Sequence, residues 1–193
     1  MPQTFPDSPL GNALLLINGI AATSGTNQFP AGNLAQRQAT WEAIMRLALS
    51  EAQVAARHDD VPVGAIIVGP NGTLLAAGHN MREQTGDPTA HAEILAIQAA
   101  ARRLNEVAPK KEWRLTGCTI VVTLEPCAMC AGAILAARAA RIVFGAWDPK
   151  AGACGSVWDL VRDAAALHQL EVIPNILAPE SETLLKQFFA TKR

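Results

Sequence analysis

Between Ala39 and Ala56 the apolar residues Trp41, Ile44, Met45, Leu47, Ala48 and Ala52 recur at helical spacing, which predicts an amphipathic helix lying on a sheet. The following run, 61–68 (VPVGAIIV), is apolar almost throughout and reads as a buried strand. Residues 69–72 (GPNG) turn it back into a second strand, Leu74 to His79, so the two form a hairpin. A polar loop, Asn80 to Thr89, leads to a helix opened by His91, with Thr89 as its expected N-cap and an apolar run from Ile94 to Ala101. After a loop from Asn105 to Trp113 comes a third strand, Cys118 to Thr123, then a second helix from Cys127 to Ala137, then a fourth strand, Arg141 to Gly145. The remaining pattern predicts a Gly-rich loop over 147–156, a helix over 157–167, a short strand over 171–173 and a final helix over 179–190. Strands alternating with helices place this chain among α/β folds, whose sites form beyond strand ends, where helix N-termini point.

Two short motifs fall at such ends: His91-Ala92-Glu93 and 126–130 (PCAMC). Cys127 and Cys130, at i and i+3, lie on one face of a helix beginning near Pro126, and Pro126 suits the first helical position because its missing N–H needs no partner there. One imidazole and two thiolates hold a zinc ion tetrahedrally with the fourth position left for water, the logic of a catalytic rather than a structural site. Glu93, not needed as a ligand, is then the candidate proton carrier. A lone C-x-x-C is commonly a structural zinc knuckle or a redox pair, and a lone His-x-Glu a solvated helix start. Together, H-x-E and P-C-x-x-C are the known signature of zinc nucleobase deaminases, and this chain matches it completely. Cys118 reads as a small buried hydrophobe. Cys154, between glycine and alanine residues, is assigned no chemistry.

With half of its 193 residues hydrophobic and only 17% charged, the chain is long enough for one domain with a sizeable core. Residues 1–37 are poor in charge and read as a loosely ordered extension before a domain spanning 38–193. Their one apolar patch, Ala13 to Ile17, is too short to span a bilayer and has no basic cluster before it, so neither a membrane span nor a signal peptide is expected. A net charge of −1 announces no nucleic acid through its global field, so a polyanion would have to be met locally. Four cysteines, two of them in the metal motif, suit a reducing, cytoplasmic setting. Helix 127–137 is apolar almost all round, which predicts burial between the sheet and a second subunit.

From about Trp41 to its C-terminus the chain resembles the bacterial tRNA-specific adenosine deaminases, which have the cytidine-deaminase-like fold. The resemblance runs through 61–65 (VPVGA), 87–94 (DPTAHAEI), 122–134 (VTLEPCAMCAGAI), 143–146 (VFGA) and 152–156 (GACGS). It implies a three-layer α-β-α architecture with a mixed central sheet of about five strands. It also implies one zinc ion per subunit on His91, Cys127 and Cys130, Glu93 as proton shuttle, and a homodimer acting on the wobble adenosine of an arginine tRNA anticodon stem-loop to give inosine. Asn80 is similar to a family position that contacts the flipped purine, although as a turn residue after a strand it needs no such role. Ala92 resembles a position whose backbone helps hold the base. Two features depart from the family: the segment Arg102 to Arg114 is longer, and the extension is additional. Lys110, Lys111, Arg114, Lys186, Lys192 and Arg193 are candidate phosphate contacts, though such clusters are more often merely solvated. For Phe188 and Phe189, anchoring of the last helix is favoured over base stacking.

Two rivals remain. A deaminase of free guanine or cytosine would use the same zinc and acid, but would act without an anticodon loop. A silent zinc-stabilised RNA-binding module would have no reason to place Glu93 beside the metal.

Overall fold

The computed structural model describes residues 29–107 and 111–192. Helix α1 (Leu34–Arg57) starts five residues before its apolar spacing predicts, because a local cap sets the start. The Asn33 side chain accepts from the Gln36 N–H at 3.0 Å and the Gln36 side chain accepts from the Asn33 N–H at 2.9 Å, a reciprocal capping box. Phe29 packs edge-on against Trp41, with ring centroids 5.6 Å apart. The patch Ala13 to Ile17 lies outside the described residues, as do Lys110 and Arg193.

Strands β1 (Gly64–Val68), β2 (Leu74–His79), β3 (Thr119–Leu124), β4 (Arg141–Ala146) and β5 (Glu171–Ile173) form one mixed sheet in the order β2-β1-β3-β4-β5. Pairs β1/β2 and β1/β3 are antiparallel, and β3/β4 and β4/β5 are parallel. Because side chains alternate along a strand, the sheet presents two apolar faces. On one, Ile66, Val68, Val121 and Val143 meet Trp41, Ile44, Met45 and Ala48 of α1. On the other, Ile67, Ile120, Val122, Ile142 and Phe144 meet Ala92, Ala96 and Ala100 of α3 (Ala92–Val107) and Ala131 and Ile134 of α4 (Ala128–Ala136). The last helix, α5 (Ala178–Ala190), joins α1 on the first face, which completes three layers. Small residues let α3 lie close on the sheet: a side chain on Gly78 would put its Cβ 2.6 Å from the Ala92 carbonyl oxygen. A four-residue helix, α2 (Arg82–Thr85), is held by buried Asp60, which accepts from the N–H groups of Glu83 and Gln84 at 3.0 and 3.3 Å.

Residues 157–167, predicted as a helix, form turns instead. Their backbone is claimed by the preceding loop: the Trp158 N–H donates to the Gly152 carbonyl, Leu160 to Ala153, and Gly155 to the Trp158 carbonyl. Asp163 then turns the chain by accepting from the Ala165 N–H at 2.7 Å. Helix α3, by contrast, runs on to Val107, and the Asn105 side chain ties the following loop by bonds to Glu112. No helix among the described residues is long and apolar enough to cross a membrane.

Candidate active site

Two helix N-termini converge on one point. The His91 carbonyl accepts the Leu95 N–H at 3.0 Å, so His91 itself, not Thr89, is the residue capping α3. Thr89 instead closes a turn on Asp87, whose carboxylate accepts both its N–H and its hydroxyl at 2.7 Å. Cys127 likewise caps α4 in an extended conformation, so the helix starts at Ala128, two residues after the start expected at Pro126, and Cys130 is the third residue inside the helix. Cap and third residue lie on the same side of the first turn, so the i, i+3 spacing still brings both sulfurs together.

His91 Nδ1 lies 3.8 Å from Cys127 Sγ and 3.5 Å from Cys130 Sγ, and the three donor atoms all fall within 4.8 Å of one another. Bond lengths of about 2.3 Å to sulfur and about 2.1 Å to nitrogen in a tetrahedral site place such donors about 3.6 Å apart, so the trio fits zinc. The protonation pattern agrees. The Cys127 thiol is drawn down to about 4, chiefly by its bond with Cys130 and further by His91, whereas Cys130 is driven up by that same bond and by burial. His91 is raised, mainly through its hydrogen bond with Cys127. Two adjacent thiolates repel each other unless a dication is shared between them, and the metal supplies it. Cys118 is pushed up to about 11 by burial, as befits an apolar filler. Cys154 is buried near the carboxylates of Glu125 and Glu93 and is raised by burial first.

Glu93 projects from the first turn of α3. It is 3% exposed, and among the described residues its Oε2 is a buried polar atom with no hydrogen-bond partner. Burial pushes its carboxyl up to about 6. A carboxyl titrating near neutrality beside metal donors is well placed to take and return a proton.

Asn80 is buried, and its side-chain oxygen accepts the Ala92 N–H at 3.0 Å. A residue 12 positions away thus serves a free N–H at the start of α3, which no local motif could reveal. Just before it, His79 is pinned to Glu51 of α1 by a buried pair at 2.9 Å. Asn80→Ala is expected to cost about 1 kcal/mol, the usual worth of a cap, in chemical denaturation. A denaturation midpoint equal to that of the wild type would show that the bond to Ala92 holds nothing.

Sequence reasoning missed Glu125, the residue before the P-C-x-x-C motif. It is 2% exposed, and its carboxylate accepts from the backbone N–H groups of Asp148, Cys154 and Ser156. An acidic residue inside an apolar strand end was the only available signal. The candidate phosphate contacts are already engaged in part: Arg114 pairs with Glu112 at 3.3 Å, Lys186 with Glu182 at 2.8 Å, and Lys192 with Asp59. Lys111 is exposed. Phe189 is 48% exposed and packs edge-on against Phe188, so it does not anchor the last helix in the core.

Residues 38–146 match the family model of the cytidine and deoxycytidylate deaminase zinc-binding region. The chain is 41% identical over 152 residues to the tRNA-specific adenosine deaminase of Bacillus subtilis, an alignment covering 79% of this chain and 90% of that one. The chain belongs to the tRNA-specific adenosine deaminase family of zinc-dependent deaminases. Its counterpart in Haemophilus influenzae is 42% identical over 79% of this chain and 84% of the relative. A solved structure from work on A-to-I editing by tRNA:A34 deaminases superposes with a TM-score of 0.68 and 40% identity, covering 73% of this chain and 97% of its own. A guanine deaminase from Nitrosomonas europaea is more distant, with a TM-score of 0.61 and 25% identity over 77% of this chain and 84% of its own. Membership makes this a zinc-dependent hydrolytic enzyme with the mixed five-stranded α/β fold of the deaminases.

Proposed function

We propose that this enzyme hydrolyses the wobble adenosine of a tRNA anticodon, that of an arginine tRNA, to inosine and ammonia. The carrying observation is the buried Glu93 oxygen, without a hydrogen-bond partner among the described residues, beside the His91, Cys127 and Cys130 donors. The substrate reading is supported by relatives at 41 to 42% identity. His91, Cys127 and Cys130 hold the zinc in this reading. Zinc, when bound, lowers the pKa of a coordinated water towards neutrality. Glu93 takes a proton from the attacking water, delivers it to the ring nitrogen beside the reacting carbon, and assists departure of the amino group as ammonia. The Asn80 amide nitrogen serves the purine edge while its oxygen stays on Ala92, which orients it. The backbone of buried Ala92, oriented by its bond to Asn80, helps hold the base in this reading.

The catalytic domain in this proposal spans 38–193 with 1–37 as an extension, of which Phe29 packs on Trp41 and Asn33 caps α1, and the enzyme works in the cytoplasm as a homodimer. Helix α4 supports the dimer: Cys130, Ala131 and Ile134 face the core, while Ala128, Met129, Gly132 and Ala136 leave an apolar face exposed. A side chain on Gly132 would meet nothing within 4 Å in the monomer. Gly132→Arg is therefore expected to leave the subunit folded and to shift sedimentation from dimer to monomer. A wild-type protein that sediments as a monomer at micromolar concentration would overturn the interface.

The deciding assay incubates the enzyme with an arginine tRNA anticodon stem-loop and, in parallel, with free adenosine, guanine and cytosine, and measures inosine and ammonia. Inosine in the stem-loop alone is the expected result. Turnover of a free base with none on RNA would keep the zinc chemistry and overturn the substrate.

A further inference from the structure

We propose that Glu125 is a positioning residue of the deaminase, its buried carboxylate clamping the 148–156 loop to the segment that carries Cys127 so that both form one rigid wall of the site. The inference rests on the deaminase reading above.

Glu125 directly follows β3, and its own N–H donates to the carbonyl of Ala146 at the end of β4 at 2.8 Å, which fixes its backbone there. Its side chain points into the following loop. Oε2 accepts from the Asp148 N–H at 3.0 Å, while Oε1 accepts from Cys154 at 2.9 Å and Ser156 at 3.1 Å. Such charge-assisted bonds are the strong kind, and three of them converge here on one buried group. The next two residues carry the loop from the backbone side: the Ala153 N–H donates to the Pro126 carbonyl at 2.8 Å, and Cys127 and Gly152 form an isolated antiparallel bridge. The Ser156 hydroxyl closes the loop on the Asp148 carbonyl at 2.7 Å. A ligand-bearing segment is thus bonded to the loop on both sides, by side chain and by main chain. At the loop's two ends stand the partly exposed indoles of Trp147 and Trp158.

Glutamine tests this at nearly constant shape. The three donors are backbone N–H groups spread over both carboxylate oxygens, whereas an amide has one accepting oxygen and one NH2, so whichever way it turns a donor faces a donor. Gly152→Ala attacks the clamp from the other side, because a Cβ there would collide with the Glu125 carboxylate and the Ser156 hydroxyl. In the wild-type holoenzyme the amides of Asp148, Cys154 and Ser156 are expected to be protected from exchange with deuterium, as are the main-chain-bonded amides of Gly152, Ala153 and Gly155. In Glu125→Gln and Gly152→Ala the amides of Asp148, Cys154 and Ser156 should exchange at least about tenfold faster, with one zinc retained per chain. KM for the anticodon stem-loop should rise by about tenfold while kcat at saturation changes by less than about threefold, the signature of lost binding geometry rather than lost chemistry. A purely structural role would lower the melting temperature and leave KM alone. Wild-type amides at these three positions exchanging without protection would overturn the clamp, as would variants whose KM and exchange match the wild type. If the wild type makes no inosine on any stem-loop, the substrate reading fails, and the exchange measurements still judge the clamp.

Discussion

Replacing Glu93 with Gln is expected to lower kcat for inosine formation by about 10² to 10⁴, the usual worth of a positioned general acid–base group, while zinc stays bound and the fold is kept. The variant should be at least as stable as the parent when zinc is removed. The carboxylate is 3% exposed with an oxygen that has no partner among the described residues, and an isostere without charge removes that burden. The pH dependence isolates the effect. Burial raises the Glu93 carboxyl from 4.5 to about 6 in the folded chain, so between those values the native state holds more protons than the unfolded one. The Glu93 contribution to stability is therefore fully present below about 4.5 and is lost as pH rises through about 6. Unfolding of zinc-free protein should show this decline, and the difference between wild type and Glu93→Gln should carry it, since His91 and the cysteines titrate in both. Undiminished turnover in Glu93→Gln would remove Glu93 from the chemistry, and a difference curve flat from pH 4 to 7 would remove the burial argument.

Cys130→Ser is expected to release the zinc and abolish turnover, and to leave a protein that melts like the chelated wild type. Cys130 is fully buried at the third position of α4, where its sulfur and that of Cys127 share a face with His91. Serine fills the space but makes a poor zinc ligand, and two remaining donors hold the ion weakly. A ligand that binds only the folded state stabilises it by about 2.7 kcal/mol when present at about 100 times its dissociation constant. For a chain of this size that corresponds to about 5 to 10 °C in melting temperature. Metal content by mass spectrometry and melting with and without chelator check both halves. A Cys130→Ser enzyme with full zinc and an unchanged melting temperature would show that the ion is held elsewhere.

How far the sequence leads is best seen at individual residues. Helical spacing marked α1, and near-continuous apolar runs bounded by turn residues marked the hairpin and the buried strands, which are covered on both faces. The Cys127 and Cys130 pair was legible for a related reason, since thiols at i and i+3 on a helix start already share a face before anything packs, whereas His91 and Glu93 were legible through the H-x-E signature. Start and stop positions were less legible. The true cap of α1 is Asn33 with Gln36, a polar pair outside the apolar pattern, and α3 and α4 are capped by His91 and Cys127 themselves. Residues 157–167 carried a helical pattern, but the 152–155 loop claims their N–H and carbonyl groups first.

The amino-acid sequence by itself determined the α/β class, the order of the strands and principal helices and the candidate metal donors, since each is written in local pattern or short spacing. Only the tertiary structure decided what stands around those donors. Residues 12 apart let Asn80 hold the Ala92 N–H, residues 28 apart join His79 to Glu51, and residues 23 to 31 apart gather three N–H groups on Glu125. No local pattern encodes such bonds. They exist because a buried donor or acceptor must find a partner, and the partner within reach is set by how strands and helices pack.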